Sequence, residues 1–165
     1  MHKFARDDLS YAKVLVVDDI SLSLEIAEEL MSRYKMQVDC VTSGQAAIER
    51  IEQGNPLYNA IFMDYMMPEM DGIETVEHIR GLGTAYAKEI PIIALTAVDI
   101  AGIKEKFYAH GFQAYLSKPI DISRLDLTIR RWIKQKFEEE LKTYKFSSYG
   151  KDDYRVSEKP ELKYR

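Results

Sequence analysis

Asn59-Ala60-Ile61-Phe62-Met63-Asp64 is a short apolar run that ends on a carboxylate. A strand with little polar alternation is one covered on both faces, which is the condition of a strand inside a parallel sheet. Outward from it the pattern recurs. Val14-Leu15-Val16-Val17 runs into Asp18 and Asp19, Pro91-Ile92-Ile93-Ala94-Leu95 into Thr96, and Ala114-Tyr115-Leu116 into Ser117 and Lys118. Residues 36–41 alternate more and complete a set of five strands.

Between the strands the apolar spacing becomes helical: Leu22/Ile26/Leu30, Ala47/Ile48/Ile51, Ile73/Val76/Ile79 with Leu82 beyond, and Ile103/Phe107 closed by Gly111. Ser21, Ser43, Asp71 and Asp121 stand where helix N-caps are expected. Strand and helix thus alternate five times, which implies an α/β fold, a parallel sheet with helices on both faces placed there by right-handed crossovers. The last helix is expected to start near Asp121 and to continue past the domain, since Leu125, Ile129, Trp132, Ile133, Phe137, Leu141 and Tyr144 keep a helical stripe, with Glu138 and Lys142 paired one turn apart. That stripe would suit either helix-mediated self-association or continued packing on its own domain.

In such a sheet ligands bind at the carboxyl ends of the strands, near the switch in strand order. The residues there are Asp18, Asp19, Asp64, Thr96 and Lys118. Three carboxylates in one pocket are costly without a cation, and an all-oxygen donor set suits magnesium, which takes one or two carboxylates plus a phosphoryl oxygen. Lys118 adds a positive charge and Thr96 a hydroxyl donor. A carboxylate can form an acyl phosphate where cations neutralise the charge on the transferring group. Taken singly, an Asp pair can be a helix cap, a Thr after a strand structural, and a Lys-Pro step a turn; their shared position after strands one, three, four and five favours a site.

Val16-Val17-Asp18-Asp19, the run 63–72 with Asp64-Tyr65-Met66-Met67-Pro68 and Asp71-Gly72, Ala94-Leu95-Thr96-Ala97, and Ser117-Lys118-Pro119 resemble response-regulator receiver domains, CheY-like, over residues 12–133. The resemblance implies a flavodoxin-like fold with strand order 2-1-3-4-5, Asp64 as phosphoacceptor and Mg2+ as cofactor. It implies Asp19 as a direct metal ligand, Asp18 as one through water, and the Met66 carbonyl as a further ligand. Thr96 and Lys118 would bind phosphoryl oxygens, the Lys118-Pro119 bond would be cis, and Thr96 with Tyr115 would form the switch. Met66 and Val98, two residues beyond Asp64 and Thr96, are apolar where many such domains orient a water, so the phosphoaspartate is expected to last many minutes. Residues 90–97, Gly111-Phe112, residues 116–121 and Arg131-Trp132-Ile133 look most like receivers of hybrid histidine kinases, with a histidine kinase or histidine phosphotransfer domain as partner. A stand-alone regulator and an unphosphorylated interaction module are the alternatives.

At 165 residues and 46% hydrophobic, the chain holds one domain with about thirty residues of appendage. A lead-in over 1–11 and an extended last helix with a polar tail over 134–165 are expected. The net charge of −4 argues against a nucleic-acid surface. Cys40 stands alone, which excludes an internal disulfide, and His2, His78 and His110 lie at no ligand spacing. The apolar runs are too short to cross a bilayer, so no membrane contact and a cytoplasmic location are expected. A carboxylate-nucleophile phosphatase would need a second Asp at position 66, where Met66 stands, and a flavodoxin would need small and hydroxyl residues where Asp18-Asp19-Ile20 stand.

Overall fold

The computed structural model describes residues 7–148, with side chains through residue 145. Five parallel strands form one sheet: β1 (Lys13–Val17), β2 (Gln37–Val41), β3 (Ala60–Asp64), β4 (Ile92–Thr96) and β5 (Ala114–Ser117), in the order β2-β1-β3-β4-β5. The central three are buried almost end to end, which is why they read as unbroken apolar runs, while β2 and β5 are edges and more exposed.

Alternation along each strand divides the core in two. Leu15, Val17, Ile61, Met63, Ile92 and Ala94 face one layer, and Val14, Val16, Ala60, Phe62, Ile93 and Leu95 the other. The first layer meets α2 (Gly44–Gln53), α3 (Gly72–Arg80), α4 (Ala85–Glu89) and α5 (Ile103–Ala109). The second meets α1 (Ser21–Ser32) and α6 (Ile122–Ile129). Truncating a side chain such as Phe62, wholly buried in the second layer, would cost about 3–5 kcal/mol.

Three of the four expected caps are made: Ser43, Asp71 and Asp121 accept hydrogen bonds from the N–H groups of Ala46, Glu74 and Arg124. Ser21 is instead the first residue of α1, and the residue before it, Ile20, offers no side-chain cap. The helix α4 was not expected. Its five residues are too few to show a period, and its signal was Thr84, whose hydroxyl accepts from the Ala87 N–H.

α6 passes without a break into a π-helical turn (Arg130–Gln135) and then α7 (Lys136–Ser148), so the last helix does extend beyond the sheet. Its stripe is used by the domain itself as far as Phe137, whose ring stacks on Tyr11 at 4.0 Å between centroids. Asp7 meets Arg130 at 3.5 Å and Lys134 at 3.1 Å, and Leu9 is buried. The lead-in is therefore packed against the domain from Asp7 onward. The expected Glu138–Lys142 pair is not among the ion pairs of the described residues; Arg131 lies 4.0 Å from Glu139 instead. His2 and the tail over 149–165 lie outside the described residues.

Candidate functional site

Strand order reverses between β1 and β3, and the residues at their carboxyl ends converge there. The Asp18 N–H donates to the Val41 carbonyl at 3.2 Å, holding Asp18 in line with the sheet and 1% exposed. Its Oδ1 accepts from the Ile20 N–H at 2.9 Å, a side-chain turn just before α1. Asp19 points to solvent. Asp64 and Thr96 are the last residues of β3 and β4, 6% and 2% exposed. Lys118 follows β5 through a backbone bond from its N–H to the Thr96 carbonyl, and its bond to Pro119 is cis.

The Lys118 ammonium donates to Asp18 Oδ2 at 2.6 Å and to Asp64 Oδ1 at 2.9 Å. One oxygen each from Asp18, Asp19 and Asp64 lies within 4.8 Å of the others. At that separation each carboxylate pair repels by about 3 kcal/mol if the effective dielectric is about 20. Burial, set against the Lys118 bond and reinforced by Asp18 and Asp19, raises the Asp64 carboxyl above its ordinary value. Burial alone would lower the Lys118 ammonium, but its bonds to Asp18 and Asp64 outweigh this and raise it. Three carboxylates and one ammonium leave two uncompensated negative charges, so an oxygen-lined site with a net deficit of two suits a hard divalent cation.

The Thr96 hydroxyl accepts from the Val98 N–H at 3.0 Å and so sits in the turn after β4. Tyr115 is half-buried, its ring 6.4 Å from that of Phe107. The Met66 side chain is 63% exposed beside Asp64. Cys40 is half-buried in β2, away from any metal-ligating cluster among the described residues, and burial raises its thiol.

The sequence profile of the response regulator receiver domain matches residues 14–130. The chain belongs to this family. As a receiver it is 37% identical over 119 residues to the signal transduction histidine-protein kinase BarA of Escherichia coli, covering 72% of this chain and 12% of the kinase. It is 31% identical over 146 residues to a probable histidine kinase 6 of rice, covering 79% and 15%. The chain thus spans 12–15% of the length of these curated relatives, and it is also 33% identical over 121 residues to the hybrid signal transduction histidine kinase M of Dictyostelium discoideum, covering 73% of this chain and 5% of the kinase.

Among solved structures, the receiver domain of the sensor histidine kinase PA1611 from Pseudomonas aeruginosa, with a magnesium ion coordinated in its active-site cleft, superposes with a TM-score of 0.66 at 30% identity, covering 74% of this chain and 98% of that one. The receiver of Ssk1 from Saccharomyces cerevisiae, solved with the histidine phosphotransfer protein Ypd1, gives 0.66 at 27% identity, covering 76% and 90%. Among the described residues no helix is long and apolar enough to cross a membrane.

Two features of this receiver were not read from the sequence. Tyr65 packs its ring edge on Phe107 and its hydroxyl accepts from Lys106, a contact between residues forty-one apart. Beyond the strand ends that carry the site, Ile20, Met66, Ile100 and Ile122 are 55%, 63%, 62% and 47% exposed. Apolar residues within five positions of a strand's end were the available signal for these.

Proposed function

We propose that this receiver takes a phosphoryl group from a phosphohistidine onto a carboxylate oxygen of Asp64. The donor's P–N bond breaks, the O–P bond to Asp64 forms, and the imidazole leaves with the electron pair. The observation that carries the reading is the Lys118 ammonium held by both buried Asp64 and buried Asp18 within a three-carboxylate cluster. Lys118 fixes the Asp64 carboxylate and places positive charge where phosphoryl oxygens would gather. Thr96 supplies a hydroxyl on the neighbouring strand that can leave its turn to donate to one of them.

Asp19, Asp64 and the Met66 carbonyl would hold Mg2+, with Asp18 acting through water because its oxygens already serve Ile20 and Lys118. The ion would neutralise charge on the transferring group. The exposed apolar residues Ile20, Met66, Ile100 and Ile122 beyond the strand ends, with Leu22 and Ile26 on α1, suit a protein donor that covers the site and excludes water, as a histidine kinase or histidine phosphotransfer domain would. Once Asp64 is phosphorylated, Thr96 and Tyr115 would bias the surface of α5, β5 and α6. The signalling unit is residues 12–133, acting in the cytoplasm as the receiver of a hybrid histidine kinase.

Incubation with acetyl phosphate tests this. Intact mass should show one added phosphoryl group in the parent, dependent on Mg2+, and none in Asp64→Asn. No addition to the parent would overturn the reading and favour an unphosphorylated interaction module.

A further inference from the structure

The helix α5 is weakly held. It has seven residues, no side-chain N-cap, and two buried side chains, Ile103 and Phe107. A helix this short is not stable by itself, so its seat is set by what those two residues touch. Phe107 is an aromatic hub. Its ring meets Phe112 at 5.2 Å and 61°, Tyr115 at 6.4 Å and 35°, and Tyr65 edge-to-face at 5.1 Å and 85°. Tyr65 is the member that comes from the site, bonded in the chain to Asp64. Its N–H donates to the Leu95 carbonyl and its carbonyl accepts from the Gly72 N–H, so the backbone that carries the ring is fixed to β4 and to the start of α3. On α5 the residue before Phe107 closes the same contact from outside: the Lys106 ammonium donates to the Tyr65 hydroxyl at 3.4 Å and lies 5.8 Å from its ring centroid.

We infer that Tyr65 is a positioning residue that transmits the state of Asp64 to α5 through Phe107 and Lys106. This rests on Asp64 being the acceptor. This route is additional to that of Thr96, whose hydroxyl is bonded to Val98 in the turn after β4 and whose switch partner Tyr115 meets the same Phe107 ring, so the two converge on Phe107. A new charged group on Asp64 that shifts the adjoining backbone moves the Tyr65 ring directly, and an edge-to-face pair is sensitive to such shifts in a way that a loose aliphatic contact is not.

The test compares hydrogen exchange of the α5 amides with and without beryllofluoride and Mg2+, while fluorine NMR reports beryllofluoride binding separately. In the parent, binding should change α5 exchange by about fivefold, the low end of ordinary coupling between sites. Tyr65→Leu should bind beryllofluoride and lose that change. Tyr65→Phe removes the hydrogen bond from Lys106, and the exposed substitution Lys106→Met removes that bond and the charge over the ring, so Tyr65→Phe should keep about half of the change on a logarithmic scale and Lys106→Met no more than that. A purely structural role would alter exchange equally in both states and leave the difference intact. A parent-like response in Tyr65→Leu would overturn the inference; if that variant does not fold, a parent-like response in both Tyr65→Phe and Lys106→Met would do so. Failure of the parent to bind beryllofluoride would overturn the acceptor reading itself, and the coupling with it.

Discussion

Replacing Lys118 by Met keeps the length and the apolar stem of the side chain and removes only the charge. What remains is Asp64 and Asp18, 6% and 1% exposed, with no ammonium between them. Breaking a buried ion pair at one partner costs about 3–5 kcal/mol, and because the Lys118 side chain is 22% exposed and Asp19 opens the site to water, the lower figure applies. For a chain of this size about 3 kcal/mol corresponds to a fall of about 9 °C in melting temperature. The loss should depend on pH with a definite sign. Asp64, already raised in the parent, rises further in the variant. An acid whose folded pKa is raised costs stability above that pKa and nothing below its unfolded value of about 3.9, so the deficit shrinks as pH falls from neutrality through the raised pKa toward the ordinary carboxylate range. Mg2+ should also narrow it, since the cation supplies the charge that Lys118 did, and chelation should restore it. Urea unfolding at several pH values, with Mg2+ or with chelator, measures all three. A variant as stable as the parent near neutrality, or a deficit indifferent to both pH and Mg2+, would refute the account of Lys118 as the counter-charge of two buried carboxylates.

The same raised carboxyl makes Asp64→Asn more stable than the parent near neutrality in chelator, because the ionised Asp64 costs folding free energy there; the gain should vanish as pH falls toward the ordinary carboxylate range, and a urea titration reads both. Gly72→Ala would place a Cβ 2.4 Å from the Asp64 carbonyl, a backbone atom that cannot turn aside, so a loss of about 2 kcal/mol with slowed acetyl phosphate labelling is expected from unfolding and mass measurements. With Met66 exposed and apolar beside Asp64, the phosphoaspartate should persist for many minutes, and decay within seconds in the isolated protein would contradict this. Tyr115→Ala should weaken the phosphorylation-dependent change in partner affinity while leaving labelling of Asp64 intact, as titration with the partner before and after labelling would show.

The two kinds of information divide cleanly in this molecule. Strand count, parallel class and the polar residues at the strand ends were legible because each central strand is buried on both faces and gives way to a polar side chain, so that Val17 before Asp18, Met63 before Asp64 and Leu95 before Thr96 all mark a boundary in polarity. Caps at Ser43, Asp71 and Asp121 were legible for a local reason, a side chain bonding three residues ahead. Ser21 misled the same rule because α1 already begins at that residue, which leaves the apolar Ile20 at the cap position. α4 escaped because five residues carry no period, and its place depends on Tyr86 reaching the backbone of Tyr58, twenty-eight residues away. What only the tertiary structure decided is how the groups share their charges and contacts. That Lys118 serves two carboxylates across gaps of 100 and 54 residues, and that Tyr65 meets Lys106 and Phe107 on a short helix, follow from strand order and packing. Polarity along a chain reports which residues are buried; only the fold determines which of them are neighbours.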